Sequence, residues 1–321
     1  MLTRIICIIA FLAVPLLAIA WGFFGHEKIN RHAIYSLPPS MVAFYKLHTD
    51  YPVKHSTDPD KRRYLLPDEG PRHYIDLDHY PPQMRDSLAI PWKQAVAKFG
   101  LDSLQPHGVL PRHFETMMYR LTAAFICRDV AAILKVSAEL GHYVADAHVP
   151  LHSTANHNGQ LTGQHGIHGL WESRIPELLA DAEFDVWAGK AAYIREPRAF
   201  IWRVIGESAA AADSVLMIEK RLSQSWPADA RYAWENRKGK LTRSYASDYT
   251  KAYNHKMGDM VERRMRSAML AVACCWYTAW ANAGQPPLQM INNTKLPDVV
   301  EKEQEQLEQG FQAGKIFGRE H

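Results

Sequence analysis

Two pairs of potential metal ligands, each with a spacing of four, stand within one stretch of this chain, residues 141–173. His142 and Asp146 lie in a run with helical character, where a spacing of four puts both side chains on one helix face and lets them share a metal ion. Pro150 ends that run and His152 follows. A polar loop rich in Gly, Asn, Thr and Gln then leads to His168 and Glu172, which enter a second amphipathic run. Imidazole and carboxylate without thiolate is the donor set of a hydrolytic zinc site that keeps one position open for water, whereas closed structural sites are usually rich in Cys. With 16 His in 321 residues, a single His-x3-Asp pair arises easily by chance as a surface contact. The compound order His-x3-Asp-x5-His, loop, His-x3-Glu does not, and it predicts a metalloenzyme.

The N-terminus suggests further ligands. The first twenty residues carry a basic Arg4, an apolar run and a small-x-small ending at Ala18-Ile19-Ala20. This pattern reads as a signal peptide over residues 1–20, cleaved before Trp21, and its apolar run is short for a membrane span. Cys7 lies inside the apolar run and away from the cleavage point, which argues against a lipoprotein anchor. The expected mature protein is therefore secreted or periplasmic, with no transmembrane anchor after processing. Cleavage would free an α-amino group at Trp21, with an ordinary pKa of about 8, that can ligate a metal when deprotonated. His26 lies five residues further on.

The elements that must position these groups read as helices. Residues 83–99, 111–126, 128–148, 170–183, 196–222 and 246–283 have apolar positions at three- and four-residue spacing, and no convincing run of alternation appears. Pro91 and Pro176 fall inside two of the runs and imply a later start or a kink. The predicted fold class is all-α, a single compact multi-helix domain over 21–288 with the metal site between facing helices. Residues 51–80, rich in Pro, Asp, Arg and Tyr without sustained period, read as a long ordered loop, and such loops are often functional. Asp58 and His73 are its candidate ligands; the alternative is a turn-forming Asp and a surface His.

Composition narrows the rest. At 47% hydrophobic and 22% charged residues, the chain can bury a sizeable core. A net charge of +3 is too mild to select nucleic acid, an anionic membrane or any stable protein partner. The odd set Cys127, Cys274 and Cys275 is no disulfide framework, and all three read as core, with a bridge from Cys127 to either neighbour left open. The aromatic stripe over 274–284 reads as core packing. The charged, Gln-rich tail over 289–321 reads as a solvated helix or a disordered extension.

Taken together, WGFFGH at the processed start, an Asp then a His in the following loop, and the two ligand pairs resemble the superfamily of trinuclear zinc phosphodiesterases. That superfamily includes bacterial zinc phospholipase C and the zinc nucleases that prefer single strands. The resemblance spans most of the mature chain, to AGQPPL, and implies three Zn2+. One would be held by Asp58, His73, His142 and Asp146, and a second by His152, His168 and Glu172. The third would use the amino nitrogen and carbonyl oxygen of Trp21, with His26 and the far side of Asp146. Asp60 is the alternative to Asp58, because the loop departs from the Trp-Ala-Asp of many relatives. Asp76 matches a carboxylate near the attacking water in the nuclease branch, or is a loop-capping Asp.

The chemistry implied is in-line hydrolysis of a phosphodiester by hydroxide shared between two metals, with Asp146 and Asp76 as catalytic carboxylates. Glu172 in place of the Asp typical of the nucleases, and the short loop before His168, resemble the phospholipases C. The WGxxGH start and the HYIDLD segment resemble the nucleases. The substrate expected is thus a phospholipid or, alternatively, single-stranded nucleic acid. A non-catalytic zinc-binding exported protein is the reading of another class.

Overall fold

In the computed structural model, which describes residues 21–237, 240–291 and 298–317, the chain is all-α apart from one hairpin. Its helices of nine residues or more are α1 (Gly22–Tyr35), α2 (Pro39–Leu47), α3 (Leu110–Cys127), α4 (Val130–Ala147), α5 (Pro197–Ser225), α6 (Ser247–Lys256), α7 (Met260–Asn282) and α8 (Asp298–Ala313). The hairpin pairs β1 (Tyr232–Arg237) with β2 (Lys240–Tyr245), in a register that sets Tyr232 opposite Tyr245 and Trp234 opposite Arg243. The proposed signal peptide over 1–20 lies outside the described residues. Among the described residues, no helix is long and apolar enough to cross a membrane.

Helix α4 is the axis of the domain. Arg128, in the left-handed region at φ 53°, turns the chain out of α3, and the Asp129 carboxylate accepts the N–H of Ala132 at 3.0 Å to cap α4. From Ser137 to Ala147 every residue of α4 is buried, because α1, α3, α5 and α7 pack around it. A helix enclosed in this way carries apolar side chains all round, so the polar residues it buries need partners. Ser137 illustrates this: its hydroxyl meets Tyr45 at 2.7 Å and its carbonyl accepts from Trp276 Nε1 at 3.0 Å.

Helix α1 buries Gly22, Gly25, His26, Ile29, Asn30 and Ala33, a three- and four-residue stripe. It approaches α4 closely at Gly141, where a Cβ would lie 2.0 Å from Asn30 Oδ1. Asn30 in turn donates to the carbonyls of Pro52 and Ala138, at 2.8 and 3.1 Å, tying α1 to the segment before the turn Asp58–Arg62 and to α4. The face of α1 that carries His26 is thereby fixed against His142.

Several elements differ from the sequence-based expectations. Residues 51–80 form short helical turns, including Asp58–Arg62, Gly70–His73 and Leu77–His79, instead of a continuous loop. The run 246–283 is broken at Gly258 and Asp259, both at positive φ, into α6 and α7. Helix Trp92–Phe99 starts after Pro91, and at Pro176 a π-helical turn, Leu170–Arg174, passes into an α-helical turn, Ile175–Leu179. Cys127 is exposed at the end of α3, while Cys274 and Cys275 are buried, and all three are free. The aromatic stripe is core: Trp276 stacks on Tyr45 at 4.7 Å. The tail helix α8 lies against the body through Phe311, which meets Phe23 and Tyr64, and through Leu307, which is buried.

Candidate metal centre

Three buried groups of side chains bring potential ligand atoms within 4.8 Å of one another: His26, His142 and Asp146; Asp60, His73 and His142; and His152, His168 and Glu172. Each of the three could hold a metal ion. His142 and Asp146 come from α4 and His26 from α1. Asp60 and His73 come from the turns Asp58–Arg62 and Gly70–His73. His152 sits in the turn Pro150–Ser153, which follows α4 directly. Glu172 lies in the π-helical turn and His168 just before it; π turns of this kind recur at functional sites.

Asp146 links the first two groups through its two oxygens. Oδ1 lies 3.5 Å from His26 Nε2, while Oδ2 lies 2.9 Å from His73 Nδ1 and 3.2 Å from His142 Nε2. Asp60 completes the second group, with Oδ1 3.7 Å from His142 Nε2 and 3.8 Å from His73 Nδ1. In the third group, Glu172 spans its two imidazoles: Oε1 lies 3.0 Å from His168 Nε2 and Oε2 lies 3.5 Å from His152 Nε2.

Backbone carbonyls orient the rings. His142 Nδ1 meets Ser56 O at 2.8 Å, His152 Nδ1 meets His73 O at 2.5 Å, and His168 Nδ1 meets His157 O at 2.9 Å. A carbonyl only accepts, so each Nδ1 carries a proton and each Nε2 is the nitrogen turned toward its group. This is the outer arrangement that metal-bound His residues require. His73 is turned the other way: its Nδ1 faces Asp146 and its Nε2 lies 3.6 Å from Glu69 Oε1.

The electrostatics match a cation site. Burial pushes the Asp146 carboxyl up, but the His142 and His152 imidazoles and hydrogen bonds from His142 and His73 hold it well below the usual range. Burial alone would lower His142, and the Asp146 and Asp60 carboxylates overcome it, raising the imidazole to about 9. Burial raises Asp60 and pushes Glu172 up to about 8, the latter despite His152. Burial, with His142 beside it, lowers His26 well below its ordinary value. Both oxygens of Asp60, Asp146 Oδ1 and both ring nitrogens of His26 are buried without a hydrogen-bond partner among the described residues. Polar atoms buried in this state cost free energy that a cation in their midst would offset. The residues therefore fit a metal.

One expected ligand is displaced. Asp58 does not join the second group: its Oδ2 meets His55 Nδ1 at 2.7 Å, and Asp60 takes the place beside His73 and His142. Both lie on one helical turn, where residues two apart point to nearly opposite sides, so only one of them can face the group. Trp21 is fully buried; its indole N–H donates to Ala145 O at 2.7 Å and its main-chain N–H supports the Glu172 carboxylate. Its main-chain nitrogen is thus positioned beside the third group. Asp76 stands outside all three groups, with Oδ2 3.7 Å from His107 Nδ1.

Glu69 and Tyr143 were not anticipated from the sequence. Buried Glu69 accepts a hydrogen bond from the Tyr143 hydroxyl and another from Arg72 Nη1 at 2.6 Å, with Arg62 Nη1 at 3.5 Å. Burial pushes Glu69 up, but His73, Arg62 and Arg72 hold it well below the usual carboxylate range. The sequence signal was available in the spacing of four between Glu69 and His73, the same as that of His142 and Asp146. No family model matches the chain, and no curated protein matches it either.

Proposed function

We propose that the protein is an exported, zinc-dependent phosphodiester hydrolase of the phospholipase C type. The observation that carries the reading is the Asp146 carboxylate, whose two oxygens face different members of two adjoining ligand groups, as a carboxylate shared between two metal ions would. The all-His and carboxylate donor set supports zinc used for hydrolysis over a closed structural site. Zinc ions bound there would supply Lewis acidity toward a phosphoryl oxygen and lower the pKa of water.

The chain's own part is positional. Ser56, His73 and His157 carbonyls fix the tautomers of three ligand rings. Glu69 holds the fourth ring from its other edge. Burial of every ligand side chain leaves the polar atoms of the groups to one another and excludes competing bulk water. No protein nucleophile is needed in this reading, and Asp76, beside His107, is the carboxylate assigned to substrate or water outside the ligand groups. Glu172, in place of an Asp, carries the choice of a phospholipid substrate.

The test offers zinc-loaded protein, processed to begin at Trp21, phosphatidylcholine vesicles and single-stranded DNA in parallel, with a chelator control. Chelator-sensitive release of phosphocholine with little nucleolysis is the expected result. Preferential cleavage of the DNA would move the protein to the nuclease branch, and hydrolysis of neither by fully loaded protein would leave it a zinc-binding protein.

A further inference from the structure

A cavity of about 410 Å³, separate from the ligand groups, lies between the start of α3 and the turn before His73. Its volume is that of a small-molecule site. Its polar wall carries two cations, Arg72 and Arg112, against a single acidic residue, Asp68, with Gln105, His113 and Thr116 completing it. Trp92, Leu101 and Val109 form its apolar wall. That apolar wall continues, because a narrow cavity of about 30 Å³ shares Trp92, Val109 and Arg112 and is otherwise lined mainly by apolar side chains.

Two of the polar groups are unusually placed. The Arg112 guanidinium makes no hydrogen bond or ion pair among the described residues, although neighbouring Glu115 is held by Arg198 at 2.7 and 2.8 Å. His113 Nε2 is buried without a hydrogen-bond partner among the described residues. Burial, with Arg72 nearby, lowers the His113 imidazole to about 3, so that it is neutral at physiological pH. Both residues sit in the first turn of an 18-residue helix, whose positive end adds to the attraction for an anion.

We infer that this cavity binds a small organic oxyanion, a phosphate monoester or a carboxylate, carried on an apolar body. Arg112 is its principal anchor, with its planar fork free to take two oxygens at once. The apolar body lies against Trp92, Leu101 and Val109. Arg72, which already holds Glu69 at 2.6 Å, closes the other side. None of its lining residues is a member of the three ligand groups, and only Arg72 reaches them, through Glu69.

The experiment titrates the zinc-loaded full chain with phenyl phosphate, benzoate or inorganic phosphate, following the arginine side-chain NMR signals and the heat of binding. The Arg112 signal, assigned by its loss in Arg112→Ala, is expected to shift with phenyl phosphate, with benzoate, or with both, and the responding probe identifies the oxyanion. Affinity for that probe should fall roughly tenfold or more in Arg112→Ala and by less in Arg112→Lys, which keeps the charge and loses the fork. Inorganic phosphate should bind more weakly than phenyl phosphate if the phosphate ester is the responder, or fail to shift Arg112 if benzoate is. An Arg112 signal that none of the probes moves would overturn the site, even if heat is released at the metal groups. Equal affinity of the wild type and Arg112→Ala would do the same.

Discussion

Glu69 Oε1 lies 3.6 Å from Nε2 of His73, at the ring nitrogen opposite to the one that meets Asp146. The carboxylate is itself fixed by Tyr143, Arg72 and Arg62. Outer carboxylates of this kind orient a ligating ring and raise its basicity, and their loss typically costs about 10- to 100-fold in metal affinity. Glu69→Gln should therefore weaken metal binding by about that factor in a competition titration against a chromophoric chelator. Nitrogen NMR of His73 should show a change in its tautomer, which a merely structural loss would not produce. Unchanged affinity with an unchanged tautomer would remove Glu69 from the metal centre.

The exchange of Asp58 for Asp60 can be tested directly. Asp60→Asn should lower the number of metal ions bound per chain, since Asp60 faces His73 and His142. Asp58→Asn should retain them all and lose only the contact with His55. Metal analysis of the two purified variants decides the matter, and the reverse pattern would restore Asp58 as the ligand.

Asp146 serves two groups, so its removal should affect more than one ion. Asp146→Asn keeps the volume and removes the larger of the two carboxylate charges that raise His142. The expected outcome is loss of two metal equivalents and nearly all hydrolytic activity, with the group of His152, His168 and Glu172 still able to bind. Full loading at wild-type affinity would contradict a bridging role.

The legible part of this molecule was the part with long-range period. Helix α4 could be read because eighteen residues repeat at helical spacing, and the same repeat placed His142 and Asp146 on one face. The segment 51–80 could not, because turns such as Asp58–Arg62 contain five residues, too few to establish a period, and without knowing their phase Asp58 and Asp60 are equivalent. The hairpin escaped for a related reason. Its strands have six residues each, and exposed Trp234 and Leu241 blur the apolar–polar alternation that marks a half-buried strand. Ring orientation was invisible for a different reason, since it depends on carbonyls such as Ser56 O, 86 residues from His142 in the chain.

Gly141 permits the approach of α1 that sets His26 over His142, whose rings stack at 3.9 Å. A Cβ there would meet Asn30 Oδ1 at 2.0 Å, far inside contact distance, and Asn30 is held by two carbonyls. Gly141→Ala should destabilise the fold by about 1–3 kcal/mol, despite the better helix propensity of Ala, because the clash outweighs that gain. Denaturant unfolding measures it, and a stabilised variant would show that α1 has room to move.

Stability should also fall in mild acid. His148 is buried at the end of α4; burial, with Arg264 beside it, lowers its imidazole from an ordinary value of 6.5 to about 3. Burial and Arg72 do the same to His113, also to about 3. Between those values the unfolded chain binds protons that the folded chain refuses, so the contribution is fully present above about 6.5 and is lost as pH falls toward about 3. His148→Gln, which cannot titrate, should flatten the decline in unfolding free energy over that window. The comparison is made with chelator in both samples, so that metal release in acid does not contribute. Equal slopes in the two proteins would mean that His148 accepts its proton without unfolding.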